Sequence, residues 1–138
     1  MLTNIWLPAF FGVALSFATI IVVRSVGMTS ERSLFPSALI AIASFYVVFA
    51  IETGQTNIII LNVIVTVVFI LMAIIGFVKS LWFVVFGLFA HGVFDAIYAI
   101  SGMSPAPGWW GMFCIVIDIL WALALAALII QKEVNSRG

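Results

Sequence analysis

Two short patterns of ionisable residues stand inside long apolar segments of this chain. His91 and Asp95 are four residues apart, and so are Cys114 and Asp118, so each pair lies on one face if its segment is helical. A charged side chain at the centre of a membrane-spanning helix costs about 2.5–3.5 kcal/mol on insertion scales, and such residues pair with one another or mark a pathway or a site. These four side chains are therefore the first candidates for chemistry.

The composition indicates a protein that resides in lipid. The chain has 138 residues, of which 66% are hydrophobic and 7% are charged, whereas a soluble domain is about half apolar and about one quarter charged. The net charge is zero and there is no basic run, so nucleic acid is not an expected partner. The single cysteine excludes a disulfide within the chain. We expect one domain over residues 1–138.

Five apolar stretches are each long enough to cross a bilayer, which requires about 20 helical residues. They are continuous instead of alternating, and backbone groups in lipid must bond within their own segment, so they predict helices and not barrel strands. The expected fold class is all-α: a polytopic integral membrane protein built as a five-transmembrane-helix bundle. The predicted helices cover residues 5–26, 35–51, 57–78, 81–100 and 109–130.

Basic residues occur in alternate connections between these helices. Arg24 and Arg32 flank the first connection, Lys79 lies in the third, and Lys132 and Arg137 follow the last helix, whereas the other connections have none. Because cytoplasmic loops carry the excess of Lys and Arg, this distribution predicts that the N-terminus is outside and the C-terminus inside (N-out/C-in). The expected location is the inner (plasma) membrane of the cell, as a multi-pass protein.

Residue counts along helices 4 and 5 place the ionisable side chains at matching depths. His91 is ten residues beyond Leu81, which corresponds to about 15 Å of helix and hence the midplane. Asp118 reaches the same depth on the antiparallel fifth helix, and Asp95 and Cys114 share the next level outward. The sequence therefore predicts a His91–Asp118 pair and an Asp95–Cys114 pair, in a pocket between helices 4 and 5 that opens outward.

Other helices supply further candidates for this pocket. Asn62 on helix 3 is expected at the depth of Asp95, and Glu52 is expected at the outer rim. Ser44 and Tyr46 are both mid-membrane on helix 2 but on different faces, so only one of them can point inward. A divalent metal is a candidate cofactor, because imidazole and carboxylate groups are metal ligands. Its expected ligands are His91, Asp95 and Asp118.

Three interpretations of the polar pocket remain open from the sequence. In the first, it handles protons or a cation coupled to transport of a small solute, because a histidine near two carboxylates has two protonation states within reach of neutral pH. In the second, the protein is a small membrane-embedded enzyme acting on a lipid-like or apolar substrate. In the third, it is an accessory subunit whose polar cluster only specifies helix packing. The expected partners are the bilayer, further copies in a homo-oligomer, and a small-molecule or lipid-like ligand.

Cysteine labelling tests the predicted topology. The single variants Gln55→Cys and Ser104→Cys should react with a membrane-impermeant maleimide added from outside, because both positions lie in connections without basic residues. Ser80→Cys and Ser136→Cys should react only after the membrane is permeabilised. Labelling of positions 55 and 80 from the same side would contradict the five-helix count.

Overall fold

The computed structural model describes residues 5–138, and five long helices account for most of them. All five are long and apolar enough to cross a membrane, which confirms the predicted all-α, multi-pass architecture. Each helix end lies within two residues of its predicted position. The predicted outer N-terminus, residues 1–4, is outside the described residues. The helices are α1 (Trp6–Ser25), α2 (Leu34–Thr53), α3 (Thr56–Val78), α4 (Trp82–Ser101) and α5 (Gly108–Ile130).

Glycines in the left-handed region end α2 and α4. Gly54 has φ 67° and Gly102 has φ 69°, a conformation that glycine adopts without the steric cost a Cβ would add. Two residues then connect α2 to α3, so these helices are antiparallel neighbours. The same end of the bundle carries the connection between α4 and α5, and we term it the loop end.

The opposite end, termed the basic end, is held together by arginine contacts. Arg24 donates from Nη2 to Oε1 of Glu133 at 2.6 Å. Arg32 donates to the carbonyl oxygen of Phe77 at 2.6 Å and to that of Asn135. These contacts bring the first connection, the end of α3 and the C-terminal segment to one end of the bundle, as the distribution of basic residues predicts.

Helix α4 lies at the centre of the bundle. It packs against α5, α3 and α2, whereas α1 packs mainly against the far side of α5. The apolar core between α2, α4 and α5 includes Leu39, Leu88 and Leu125, all of which are fully buried. The central position of α4 explains how its ionisable residues are kept away from lipid on every side.

Gly12 sets the closeness of α1 to α5 and provides a test of this packing. A Cβ at residue 12 would lie 2.9 Å from the carbonyl oxygen of Phe113 and 3.2 Å from Cβ of Val116. Gly12→Ala should therefore displace α1 and lower the free energy of unfolding by about 1–3 kcal/mol, as overpacking does. The control is Gly108→Ala, because a Cβ there meets nothing within 4 Å. Unfolding in mixed micelles measures both, and equal stabilities would contradict the close α1–α5 contact.

Candidate functional site

His91 and Asp118 are joined at the centre of the bundle. Nδ1 of His91 on α4 lies 2.7 Å from Oδ2 of Asp118 on α5, so the two atoms share a hydrogen bond whose donor depends on which of them carries the proton. This is the pair that matching depths predict, and the structure confirms it. A hydrogen bond to an ionised group is about twice as strong as one between neutral groups, so the pair fixes the relation of α4 to α5.

Gly92 allows the two helices to approach at this level. A Cβ at residue 92 would lie 3.3 Å from Cβ of Asp118 and 3.7 Å from the carbonyl oxygen of Ile115. The first distance is tighter than most contacts of a Cβ and the second is an ordinary van der Waals contact, so even an alanine here would require α5 to shift by a few tenths of an ångström. The absence of a side chain at Gly92 therefore allows the close approach of α4 and α5 that the contact between His91 and Asp118 requires. Residue spacing alone did not indicate this role.

Asp95 extends the pair into a cluster that reaches α2. Its Oδ2 lies 3.5 Å from Nδ1 of His91, and its Oδ1 accepts a hydrogen bond from the hydroxyl of Tyr46 at 2.5 Å. The predicted Asp95–Cys114 pair is therefore wrong, since the partner of Asp95 is Tyr46. The physical reason is that a phenolic hydroxyl is a better donor than a thiol, and α2 packs against α4 at this level.

The two candidate residues of α2 are now distinguished. The side chain of Tyr46 points inward and is buried, whereas Ser44 donates to the carbonyl oxygen of Ile40 on its own helix at 2.7 Å. Glu52 is exposed near the end of α2, and among residues 5–138 it has no hydrogen bond to the cluster, so its predicted place at the rim stays a prediction.

Asn62 and Cys114 are buried near the cluster but do not bond to its carboxylates. Asn62 donates to the carbonyl oxygen of Ile58 at 2.9 Å and accepts a hydrogen bond from the hydroxyl of Tyr98 at 3.0 Å. This bond joins α3 to α4 on the side of the loop end. Cys114 is buried as a small apolar side chain, and within the described part of the chain it has no hydrogen bond to Asp95.

Aromatic rings enclose the imidazole. The ring centroid of Phe69 lies 4.8 Å from that of His91, and the rings of Tyr46 and Phe94 lie at 5.8 and 6.0 Å. The sequence could not identify Phe69 and Phe94 as neighbours of His91, because the 13 phenylalanines are spread over all the helices. Their apolar surfaces keep the charges of the cluster in a medium of low dielectric constant, in which those charges interact strongly.

The cluster is closed, in contrast to the predicted pocket that opens outward. The exposed fraction is 1% for His91 and 0% for both Asp95 and Asp118. The rings of Tyr46 and Tyr98, with centroids 5.4 Å apart, occupy the side that leads to the loop end. Residue counting gives the depth of a side chain but not the way neighbouring rings pack over it, which is why the sequence did not predict the closure.

The cluster contains more acidic groups than basic groups. Two carboxylates face one imidazole, and each carboxylate has one oxygen without a hydrogen-bond partner, Oδ2 of Asp95 and Oδ1 of Asp118. Even with a charged imidazole, two ionised carboxylates leave one negative charge uncompensated. A buried charge without a partner is strongly destabilising. The geometry therefore suits one additional proton or a bound cation.

The same three side chains also have the arrangement of a metal site. His91, Asp95 and Asp118 each offer one ligand atom, and these atoms lie within 4.8 Å of one another. Imidazole nitrogen and carboxylate oxygen are ligands for several divalent metals. The predicted ligand set is therefore brought together, and it could hold a divalent ion.

Comparisons with known proteins provide no relative from which a function could be transferred. No family model matches the chain, and neither a curated protein nor a solved structure matches it. What is established is a membrane-helical protein with a buried His/Asp/Asp cluster.

A double-mutant cycle tests the central pair. Asp118→Leu should destabilise the protein by about 1–3 kcal/mol if it leaves a neutral His91 without its partner, and by about 3–5 kcal/mol if the imidazole is charged. Combining it with His91→Leu should recover much of the loss, because no isolated polar group then remains buried. Glu52→Gln is the matched control and should leave stability unchanged, since Glu52 is exposed. Purely additive losses would mean that the two side chains do not interact.

Proposed function

We propose that this protein is a small proton-coupled transporter, in which the cluster of Tyr46, His91, Asp95 and Asp118 takes up and releases the coupling proton. The observation that carries this proposal is the excess of carboxylates over cationic groups at a closed position inside the bundle. Ionisable residues within membrane segments mark ion pathways and proton relays in many pumps and transporters.

In this proposal, two hydrogen bonds and one close polar contact within the cluster form the route of the proton. Tyr46 bonds to Asp95, Asp95 lies beside His91, and His91 bonds to Asp118, over distances of 2.5, 3.5 and 2.7 Å. Each member can exist with or without a proton, and histidine does so within the physiological pH range. When one carboxyl group is protonated and the imidazole is charged, the remaining carboxylate balances the imidazole, so the protonated cluster is neutral.

The position of the cluster links its charge to helix packing. Its members come from α2, α4 and α5, and the bonds between them join all three helices. Adding or removing a proton changes donors into acceptors at these bonds and thereby favours one arrangement of helices over another. Such a link between protonation and helix arrangement is what a coupled transporter requires. The closed cluster corresponds to an occluded state in this proposal.

The remaining proposals concern the setting of the protein. We infer an N-out/C-in orientation in the inner (plasma) membrane, because the basic end carries Arg24 and Arg32 together with the C-terminal segment. We also infer a homo-oligomer, because five helices whose cluster is closed leave little wall for an aqueous path within one chain. The solute is a small molecule whose identity is open.

A divalent cation bound by the same residues is the second candidate. Oδ2 of Asp95 and Oδ1 of Asp118, the two carboxylate oxygens without a partner, favour it. With a neutral imidazole, two ionised carboxylates carry two negative charges, which a divalent ion balances. Metal content after incubation with Zn²⁺ or Mn²⁺ distinguishes this candidate: retention of one ion per chain, lost in Asp95→Asn, would replace the proton by a metal as the bound cation.

The single histidine of the chain allows a direct test of proton exchange. In protein labelled with ¹⁵N-histidine, every imidazole signal belongs to His91. These signals should change between about pH 4 and about pH 9 if the cluster exchanges a proton with the medium. Asp95→Asn should alter that pH dependence, because it removes a charge 3.5 Å from Nδ1. Glu52→Gln should not alter it. A wild-type signal that stays constant over this range would refute the proton proposal.

A further inference from the structure

The buried side chains on the two sides of the cluster differ in polarity. On the side of the loop end they include Asn62 and Tyr98, which carry an amide and a hydroxyl group. On the side of the basic end, one or two helical turns from the cluster, Leu39, Leu88 and Leu125 are fully buried. We term these three residues the leucine layer. Water can form hydrogen bonds with the first pair of side chains but not with the leucine layer.

Tyr98 covers the cluster where the bundle is thinnest. It lies on α4 between Asp95 and the end of the helix at Ser101, a distance of six residues or about 9 Å along the axis. The hydroxyl of Tyr98 donates to Oδ1 of Asn62 on α3 at 3.0 Å, and the Tyr98 ring packs beside that of Tyr46, with the centroids 5.4 Å apart. The hydrogen bond to α3 therefore holds this ring over the cluster.

The two sides differ in what their opening would cost. Breaking the bond between Tyr98 and Asn62 frees a hydroxyl and an amide that water can satisfy, so the net loss is small. The leucine layer is tightly packed, because a Cβ at Gly87 would lie 2.6 Å from Cδ2 of Leu39. Parting it would expose apolar surface to water, and a gap lined only by apolar side chains stays dry. Opening toward the loop end is thus the less costly movement.

We propose that Tyr98 and Asn62 form the gate through which water from the loop end reaches the cluster. When their hydrogen bond breaks, the Tyr98 ring turns aside and Asp95 meets the medium, while the leucine layer keeps the basic side dry. This inference rests on the proposed proton exchange, for which it names the side on which the cluster meets the medium and the two residues that control access.

Cys114 provides a natural reporter of the gate. It is the single cysteine of the chain and is buried, and it lies on the same face of α5 as Asp118, one turn closer to the loop end. Its modification is measured with 2-aminoethyl methanethiosulfonate, added to sealed vesicles that contain free cysteine as a scavenger. The loop side is defined as the side from which Gln55→Cys reacts in a Cys114→Ala background.

Wild-type Cys114 should react slowly from the loop side. Tyr98→Phe keeps the ring but removes the hydrogen bond, so it should increase this rate about twofold to tenfold, as the loss of one such bond raises the open population. Tyr98→Ala removes the ring as well and should increase the rate further. Because Tyr98→Phe preserves the packing of the ring, it tests the gate even if Tyr98→Ala does not fold.

Two control variants separate a gate from general loosening of the bundle. Leu88→Ala makes a cavity on the other side of His91, but that cavity is apolar and stays dry. Thr66→Val removes a buried hydroxyl that donates to the carbonyl oxygen of Ala43 at 3.0 Å. Both should react as the wild type does from either side.

Three results would each overturn the inference: an unchanged rate in Tyr98→Phe, an equal increase in Leu88→Ala, or an increase confined to the side opposite the loop end. Modification of Cys114 reports access and not protonation. An imidazole signal of His91 that stays constant with pH would therefore refute the proton proposal without altering the outcome of this experiment.

Discussion

The structure depends on one constraint: two carboxyl groups must be kept out of lipid in the middle of a bundle whose arginine and lysine side chains lie at its basic end. Asp95 and Asp118 meet that constraint because both contact His91. Asp95 also accepts a hydrogen bond from Tyr46 of α2. Removing these groups from water costs several kcal/mol per ion, so their partners must be held in place by the surrounding helices. The resulting bonds join α2, α4 and α5 and make α4 the centre of the molecule.

The apolar residues of the bundle make these polar bonds effective. Gly92 brings α5 close enough for the short bond between His91 and Asp118, while Phe69 and Phe94 exclude water around the imidazole. In a medium of low dielectric constant the charges interact strongly, and an uncompensated charge is correspondingly unfavourable. The same enclosure that stabilises the complete cluster therefore makes it sensitive to the gain or loss of one positive charge.

Helix α5 contacts α4 through the cluster and also packs against α1. Asp118 faces α4 and the cluster, whereas Trp121 and Ala124 line a separate cavity between α1, α2 and α5. These residues are within two turns of one another along a rigid helix. Helix α1, which packs mainly against α5, is the element least constrained by the other helices.

The sequence by itself determined the five helices, their approximate ends, the grouping of basic residues and the pairing of His91 with Asp118. These properties follow from hydropathy and from distance along the helix axis, both of which can be counted along the chain. Only the tertiary structure decided that Tyr46 replaces Cys114 as the partner of Asp95 and that the cluster is closed. These features depend on how each helix is rotated about its axis, and that rotation results from the packing of all the side chains together.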